Sequence, residues 1–154
     1  MPVRKPAVSK KNASLATRND YSEVLAKILD EGLCPFCEQN LFKHHRKPLL
    51  FKTKHWLITE NAWPYPGTKL HLLLIARSHI ESADALSGAA WTDLGTAFKR
   101  ICADKGISGA SLLMRSGDML RTGASVAHLH AQVLMGGKHV KGATPITAVV
   151  GFKK

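Results

Sequence analysis

Residues Ser125 to Gln132 read Ser-Val-Ala-His-Leu-His-Ala-Gln, and from His128 onward polar and apolar side chains alternate. A β-strand sends successive side chains to opposite faces. The pattern therefore places His128, His130 and Gln132 on one face, with Leu129, Ala131 and Val133 on the other. The apolar set belongs in a core. The polar set puts two imidazoles and a carboxamide side by side, for which packing offers no reason. A surface that acts on a polar substrate does offer one. The chain is thus expected to build a sheet with one apolar face and one chemically active face.

At 154 residues and 45% hydrophobic content, the chain is the size of one globular domain with a proper core. No apolar run approaches the ~20 residues of a membrane span, so no membrane partner is expected. The N-terminus lacks the apolar segment of a secretory signal, and a cytoplasmic location follows as the expectation. The net charge of +11 is concentrated at the ends. Arg4, Lys5, Lys10, Lys11 and Arg18 lie in residues 1–18, and Lys138, Lys141, Lys153 and Lys154 in residues 138–154, with no acid in either stretch. Of 22 basic residues, these nine leave 13 against 11 acids, a body charge of +2. Basic tails of this kind keep a protein dissolved or contact RNA.

Three segments follow: a disordered basic arm over 1–18, a catalytic domain over 19–137 and a basic C-terminal tail over 138–154. Asp20, with Glu23 three positions on, opens a short helix whose apolar face is Tyr21, Val24, Leu25, Ile28 and Leu29, and Gly32 ends it. Leu49 to Glu60 reads as one strand, and Asn61 to Thr68, with two prolines and a glycine, as a loop. Lys69 to Arg77 is an apolar strand. Ser87 to Lys105 repeats apolar residues at three- and four-residue steps, the signature of a long helix stopped by Gly106. Ser111 to Arg115 and Ala127 to Met135 are further strands, and Ile146 to Phe152 is an edge strand or tail. Short connections rule out parallel crossovers. The expected fold is α+β: an antiparallel meander of about five strands with one long helix and a short N-terminal one.

Cys34 and Cys37 form a Cys-x-x-Cys pair in a chain with an odd cysteine count, which reads as metal ligands or a redox pair rather than a structural disulfide. A redox pair of the thioredoxin type follows a strand and opens a helix; this one follows a helix and precedes a basic loop. Zinc requires two more ligands. His44 and His45 lie near in sequence and His79 and His128 far away, and spacing leaves both pairs open. His130, beside His128 and Gln132, suits nucleophilic attack on phosphorus, with the Gly123-Ala124-Ser125 turn as a source of phosphate-holding donors.

The run Gly123 to Gln132 resembles the signature of the histidine triad (HIT) superfamily, a Gly-Gln-Ser/Thr-apolar run followed by His-apolar-His-apolar-His/Gln. Upstream, Asn61 to Thr68, the apolar Leu72 to Ile75 and Arg77-Ser78-His79 resemble the family's "Asn-x-x-Pro-x-x-Pro-Gly-His" loop, strand and "Pro-x-Arg-His" end. The likeness spans about residues 34–137. It implies His130 as the residue that takes a nucleotidyl group, Ser125 and Gly123 at the transferred phosphate, Asn61 near the ribose and Trp63 near the base. It also implies a structural zinc on Cys34, Cys37, His79 and His128, and a homodimer.

Three positions depart from the family pattern. Gln132 replaces a third histidine and, being an amide, cannot act as a general acid. It resembles the uridylyltransferase and phosphorylase branches. Ala124 replaces a phosphate-binding glutamine. Lys69 falls where many members carry the loop histidine, with His71 two residues on. The expected function is hydrolysis or transfer of a nucleoside monophosphate from a dinucleoside polyphosphate or another adenylylated compound through His130. Magnesium enters only as a companion of a polyphosphate substrate. The alternative is a zinc-stabilised nucleic-acid-binding module, using the basic Lys43 to Lys47 stretch and the tails. A degenerate nucleotide-binding enzyme is a third reading.

Overall fold

The computed structural model describes residues 6–13 and 19–154. Five strands form one antiparallel sheet: β1 (Leu49–Lys52), β2 (Trp56–Glu60), β3 (Leu70–Ala76), β4 (Ser111–Met114) and β5 (His130–Met135). Their order is β1-β2-β3-β5-β4, so the sheet is a meander through β3, after which β5 lies between β3 and β4. The helices are α1 (Lys10–Ala13), α2 (Asn19–Glu31), α3 (Leu41–His44), α4 (Gly88–Lys105) and α5 (Met119–Thr122). The α+β class and the five antiparallel strands are those read from the sequence. Among the described residues, no helix is long and apolar enough to cross a membrane.

The two faces of the sheet have separate tasks. Leu72, Leu74 and Ala76 of β3 and Ala131 and Val133 of β5 point to α4, where they meet Leu94, Ala97 and Ile101 in a dry core. Burial of each such leucine or isoleucine contributes roughly 1.5–3 kcal/mol. The helix starts where Ser87 Oγ accepts the Ala90 N–H and stops at Gly106, whose φ of 60° suits a residue without Cβ. Trp56 pins it by donating its indole N–H to Ala90 O at 2.9 Å. On the opposite face, Leu57, Leu73 and Ile75 pack with Leu41 of α3. In the pairing of β3 with β5, Leu73 stands opposite Gln132 and Ile75 opposite His130. The polar half of the alternation therefore lies on the face away from α4.

Three expectations change. Leu49 to Glu60 is a tight hairpin, not one strand: Thr53 N–H donates to Trp56 O, and Trp56 N–H to Thr53 Oγ1. Thr53 thus closes the turn with both its backbone and its hydroxyl. Ile146 to Phe152 carries no strand and runs as coil. Residues 6–13, expected to belong to a disordered arm, are packed. Val8 bridges Val126 and is buried with Leu25 and Ile28 of α2. Asn12 is buried and donates through Nδ2 to Met119 O and Ala124 O, at 2.7 and 2.6 Å. The basic composition of this stretch masked three buried residues, Val8, Ser9 and Asn12. Residues 1–5 and 14–18 of the arm lie outside the described residues.

Replacing Asn12 with Ala leaves the buried Ala124 carbonyl without a donor, Met119 O keeping the Gly123 N–H, so Asn12→Ala is expected to cost about 1–3 kcal/mol by urea unfolding. An unchanged midpoint would mean that this segment contributes nothing to the fold.

Candidate active site and metal centre

Cys34 and Cys37 follow α2 directly, and the sheet brings His79 and His128 to them. Cys34 Sγ lies 3.4 Å from His128 Nδ1, and Cys37 Sγ 3.3 Å from His79 Nδ1 and 3.8 Å from His128 Nδ1. The four donor atoms all lie within 4.8 Å of one another. Zinc bonds of ~2.3 Å to sulfur and ~2.0 Å to nitrogen give sulfur–nitrogen separations of about 3.5 Å in a tetrahedron, and this donor set fits them. His128 donates its Nε2–H to Ala76 O, which leaves Nδ1 as a lone pair aimed at the thiols. Burial lowers the His128 pKa to about 4, so the ring is neutral and able to ligate. Burial pushes the Cys34 thiol up to about 11, a penalty that a bound cation reverses.

The near pair of histidines is engaged elsewhere. His45 is buried and bonds Thr59 Oγ1 through Nε2 at 2.8 Å, and His44 bonds Glu31 at 2.9 Å. Of the two pairs that spacing left open, the structure brings the far one to the thiols.

His130 opens β5, two residues beyond His128, which precedes the strand that the sequence reading began at Ala127. Its Nδ1–H donates to His128 O at 2.8 Å, which fixes the tautomer and leaves the Nε2 lone pair free. The ring meets Phe36 edge to face, 4.9 Å between centroids, and Phe36 lies inside the Cys-x-x-Cys loop. The metal-type cluster and the reactive histidine thus share one aromatic spacer. Burial lowers the His130 pKa to about 4, opposed by the bond to His128 O, while the Arg115 charge lowers it further. At neutral pH the imidazole is uncharged.

Gln132 is buried, and its Oε1 accepts from His71 Nε2–H at 2.7 Å. The proton must be on Nε2, because His71 Nδ1 accepts the Tyr65 N–H at 3.0 Å. The Gln132 amide is thereby oriented with its oxygen toward β3 and its nitrogen free of any protein acceptor among the described residues. Burial lowers the His71 pKa to about 4, partly offset by the bond to Gln132. Asn61 accepts the Trp63 N–H on Oδ1 at 2.9 Å and donates its backbone N–H to His71 O at 2.8 Å. It braces the 61–68 loop around His71. His71 is the residue that the sequence reading left unplaced, and its signal was the apolar strand that follows it rather than its distance from Gly67.

These side chains open into a cavity of about 680 Å³. Tyr21 of α2 stacks on Trp63 with ring centroids 5.2 Å apart, and its hydroxyl shares a 2.8 Å hydrogen bond with Ser125 Oγ. Burial raises the Tyr21 pKa, so the phenol is neutral. The Gly123 turn supplies fewer donors than expected. Gly123 N–H caps α5 by donating to Met119 O, and Ala124 N–H donates to Thr122 Oγ1. Gly123, at φ 76°, instead allows the Val149 side chain to cross where a Cβ would collide with it. Thr144, Pro145 and Thr147 to Val149 of the C-terminal segment, with Asn12 and α2, complete the walls.

A sheet edged by a long helix, with a histidine pair and a glutamine on its open face, defines a histidine-triad class of protein. The family model for the HIT domain matches residues 45–139, and the chain belongs to that family. Curated protein sequences give no match. Among solved structures, the chain resembles a HIT family hydrolase from Clostridium thermocellum at 23% identity and TM-score 0.55, covering 74% of this chain and 96% of that one. A zinc-bound histidine triad family protein from Mycobacterium smegmatis is 16% identical with TM-score 0.54, covering 74% of this chain and 82% of that one. Plasmodium falciparum diadenosine triphosphate hydrolase, in complex with cyclomarin A, is 20% identical with TM-score 0.50, covering 58% of this chain and 60% of that one. At these identities the likeness is one of fold.

His71 and His130 remain neutral in the folded chain down to about pH 4, whereas unfolded histidines bind protons below about 6.5. Their contribution is complete above pH 6.5 and is lost as pH falls from 6.5 toward 4. Urea midpoints measured across that window are expected to fall with pH, less steeply in His71→Asn than in the wild type. Equal slopes would show that His71 is not buried as a neutral ring.

Proposed function

We propose that the chain hydrolyses or transfers nucleoside monophosphate groups, with His130 Nε2 as the nucleophile. The observation that carries this is the pairing of His130 Nδ1–H with His128 O, which presents a neutral imidazole with its lone pair to the cavity. Nε2 attacks the phosphorus, the N–P bond forms, and the bridging P–O bond breaks with its electron pair on the departing oxygen. The ring becomes positive, and the His128 carbonyl stabilises the Nδ1–H that carries part of that charge. Water or another acceptor then attacks the phosphorus, and the N–P bond breaks with its electron pair returning to Nε2 to restore the neutral ring. A proton from an attacking water passes to solvent.

Gln132 offers its amide N–H groups to a phosphate oxygen, and Ser125 with Tyr21 offers hydroxyls nearby. Trp63 and Tyr21 supply a flat apolar wall for a base. Dinucleoside polyphosphates and other adenylylated compounds are the substrate class. The diadenosine triphosphate hydrolase in the same fold group accords with this.

Cys34, Cys37, His79 and His128 would hold a zinc ion, whose bound chemistry is structural: it replaces the thiol protons and cross-links the 34–37 loop to the sheet. The zinc-bound mycobacterial relative supports the choice of metal. This chain's residues do the rest, with Phe36 conveying the position of that loop to the His130 ring.

His130→Ala is expected to lower release of AMP from diadenosine tetraphosphate by roughly 10³-fold or more while circular dichroism stays unchanged. Retained turnover would exclude the mechanism. Elemental analysis is expected to find one zinc per chain, lost together with thermal stability in Cys34→Ser. A metal-free wild type of equal stability would rule out the centre.

A further inference from the structure

Among the described residues, the cavity lining holds one arginine, and the proposed chemistry does not use it. Arg115 follows β4 and lines the cavity beside His130 and Gln132. Its Nη1 donates to the Tyr65 hydroxyl at 3.0 Å, and its Nε and Nη2 both donate to the Val149 carbonyl, Nε at 2.7 Å. All these acceptors are neutral. Among the described residues no carboxylate pairs with this guanidinium, whereas Arg77, Arg100 and Arg121 each have one. Among the described residues, the cavity lining contains no Asp or Glu. A guanidinium carries five N–H donors, and these three bonds leave two. A half-buried cation held at a fixed angle by two neutral braces, with donors to spare, is a receptor awaiting an anion.

We propose that Arg115 receives the anionic departing part of the substrate, so that the site selects nucleotide compounds whose leaving group carries phosphate charge of its own. This rests on the His130 reading above. The chemistry of Gln132 requires such a partner. An amide cannot protonate the departing oxygen, so the group that leaves efficiently is one that departs as an anion. As the P–O bond breaks, the electron pair stays on the departing phosphate. The fixed positive charge of Arg115 pairs with the non-bridging oxygens of that phosphate, which an aryl leaving group lacks, without any proton transfer. Tyr65 and the Val149 carbonyl are positioning groups in this arrangement. The C-terminal segment reaches Arg115 because Gly123 lacks a Cβ in its path.

The test compares two substrates that share the AMP group and differ in the charge on the departing side. Diadenosine tetraphosphate releases a nucleotide, whereas the p-nitrophenyl ester of AMP has an uncharged aryl group there. In Arg115→Gln, the ratio of kcat/KM on the tetraphosphate to that on the aryl ester is expected to fall by roughly 10- to 100-fold, the cost of one charge-assisted contact. Arg115→Lys keeps the charge but not the fork and is expected to lie between the wild type and Arg115→Gln. An unchanged ratio in Arg115→Gln, whether or not both rates drop, would assign Arg115 to shaping the cavity and overturn the proposal. Failure of the wild type to cleave either compound would instead contradict the nucleotidyl-transfer reading on which the proposal stands.

Discussion

The site depends on one imidazole, that of His128, tied on three sides. Its Nε2–H is held by Ala76 O on β3, its Nδ1 faces two thiols, and its own carbonyl accepts from His130 Nδ1–H. Each bond fixes the next. The bond to Ala76 selects the tautomer that can face the thiols, and the backbone bond to His130 selects the tautomer that presents Nε2. Because the two histidines are neighbours across one apolar residue, the same two-residue repeat that buries Leu129 under α4 also turns their rings to the other face, His128 buried against the thiols and His130 toward the cavity. Loss of the β3–β5 register by one residue would invert both arrangements.

The sheet alone offers an open face; the two ends of the chain turn it into a cavity. Asn12 and α2 close one side, and Thr144, Pro145 and Thr147 to Val149 close another. Their seats are set by single small features. Gly123 gives the C-terminal segment room, and Arg115 holds it by the Val149 carbonyl. Burial depresses His71, His128 and His130 all to about 4. Neutral rings at physiological pH are what both a metal ligand and a phosphorus nucleophile require. Burial thus serves packing and chemistry together.

Much of this was legible in the sequence wherever the signal is local. The alternation around His130 marks its strand, the spacing of Leu94, Ala97 and Ile101 marks α4, and Gly32 and Gly106 mark helix ends with positive φ. The Cys-x-x-Cys pair was visible, but its partners were not fixed by spacing, since 91 residues separate Cys37 from His128. What stayed hidden depends on contacts without local periodicity. Asn12 meets Ala124 across 112 residues, and Arg115 meets Val149 across 34. His71 was obscured for a different reason. Counting the loop pattern from Asn61 points to Lys69, whereas His71 lies two residues on, inside β3, and the hydrogen bond to Gln132 is what singles it out. The hairpin at Thr53 escaped because a threonine hydroxyl, rather than a glycine, closes it.

The central claim is that His130 Nε2 forms a covalent bond to phosphorus. Intact-protein mass spectrometry under acid-free conditions, after brief incubation with diadenosine tetraphosphate, tests it most directly. The account predicts a transient mass gain equal to one adenylyl group on the wild type and none on His130→Ala. Substrate consumption by the wild type with no adduct at any time, or an equal adduct on both proteins, would contradict it.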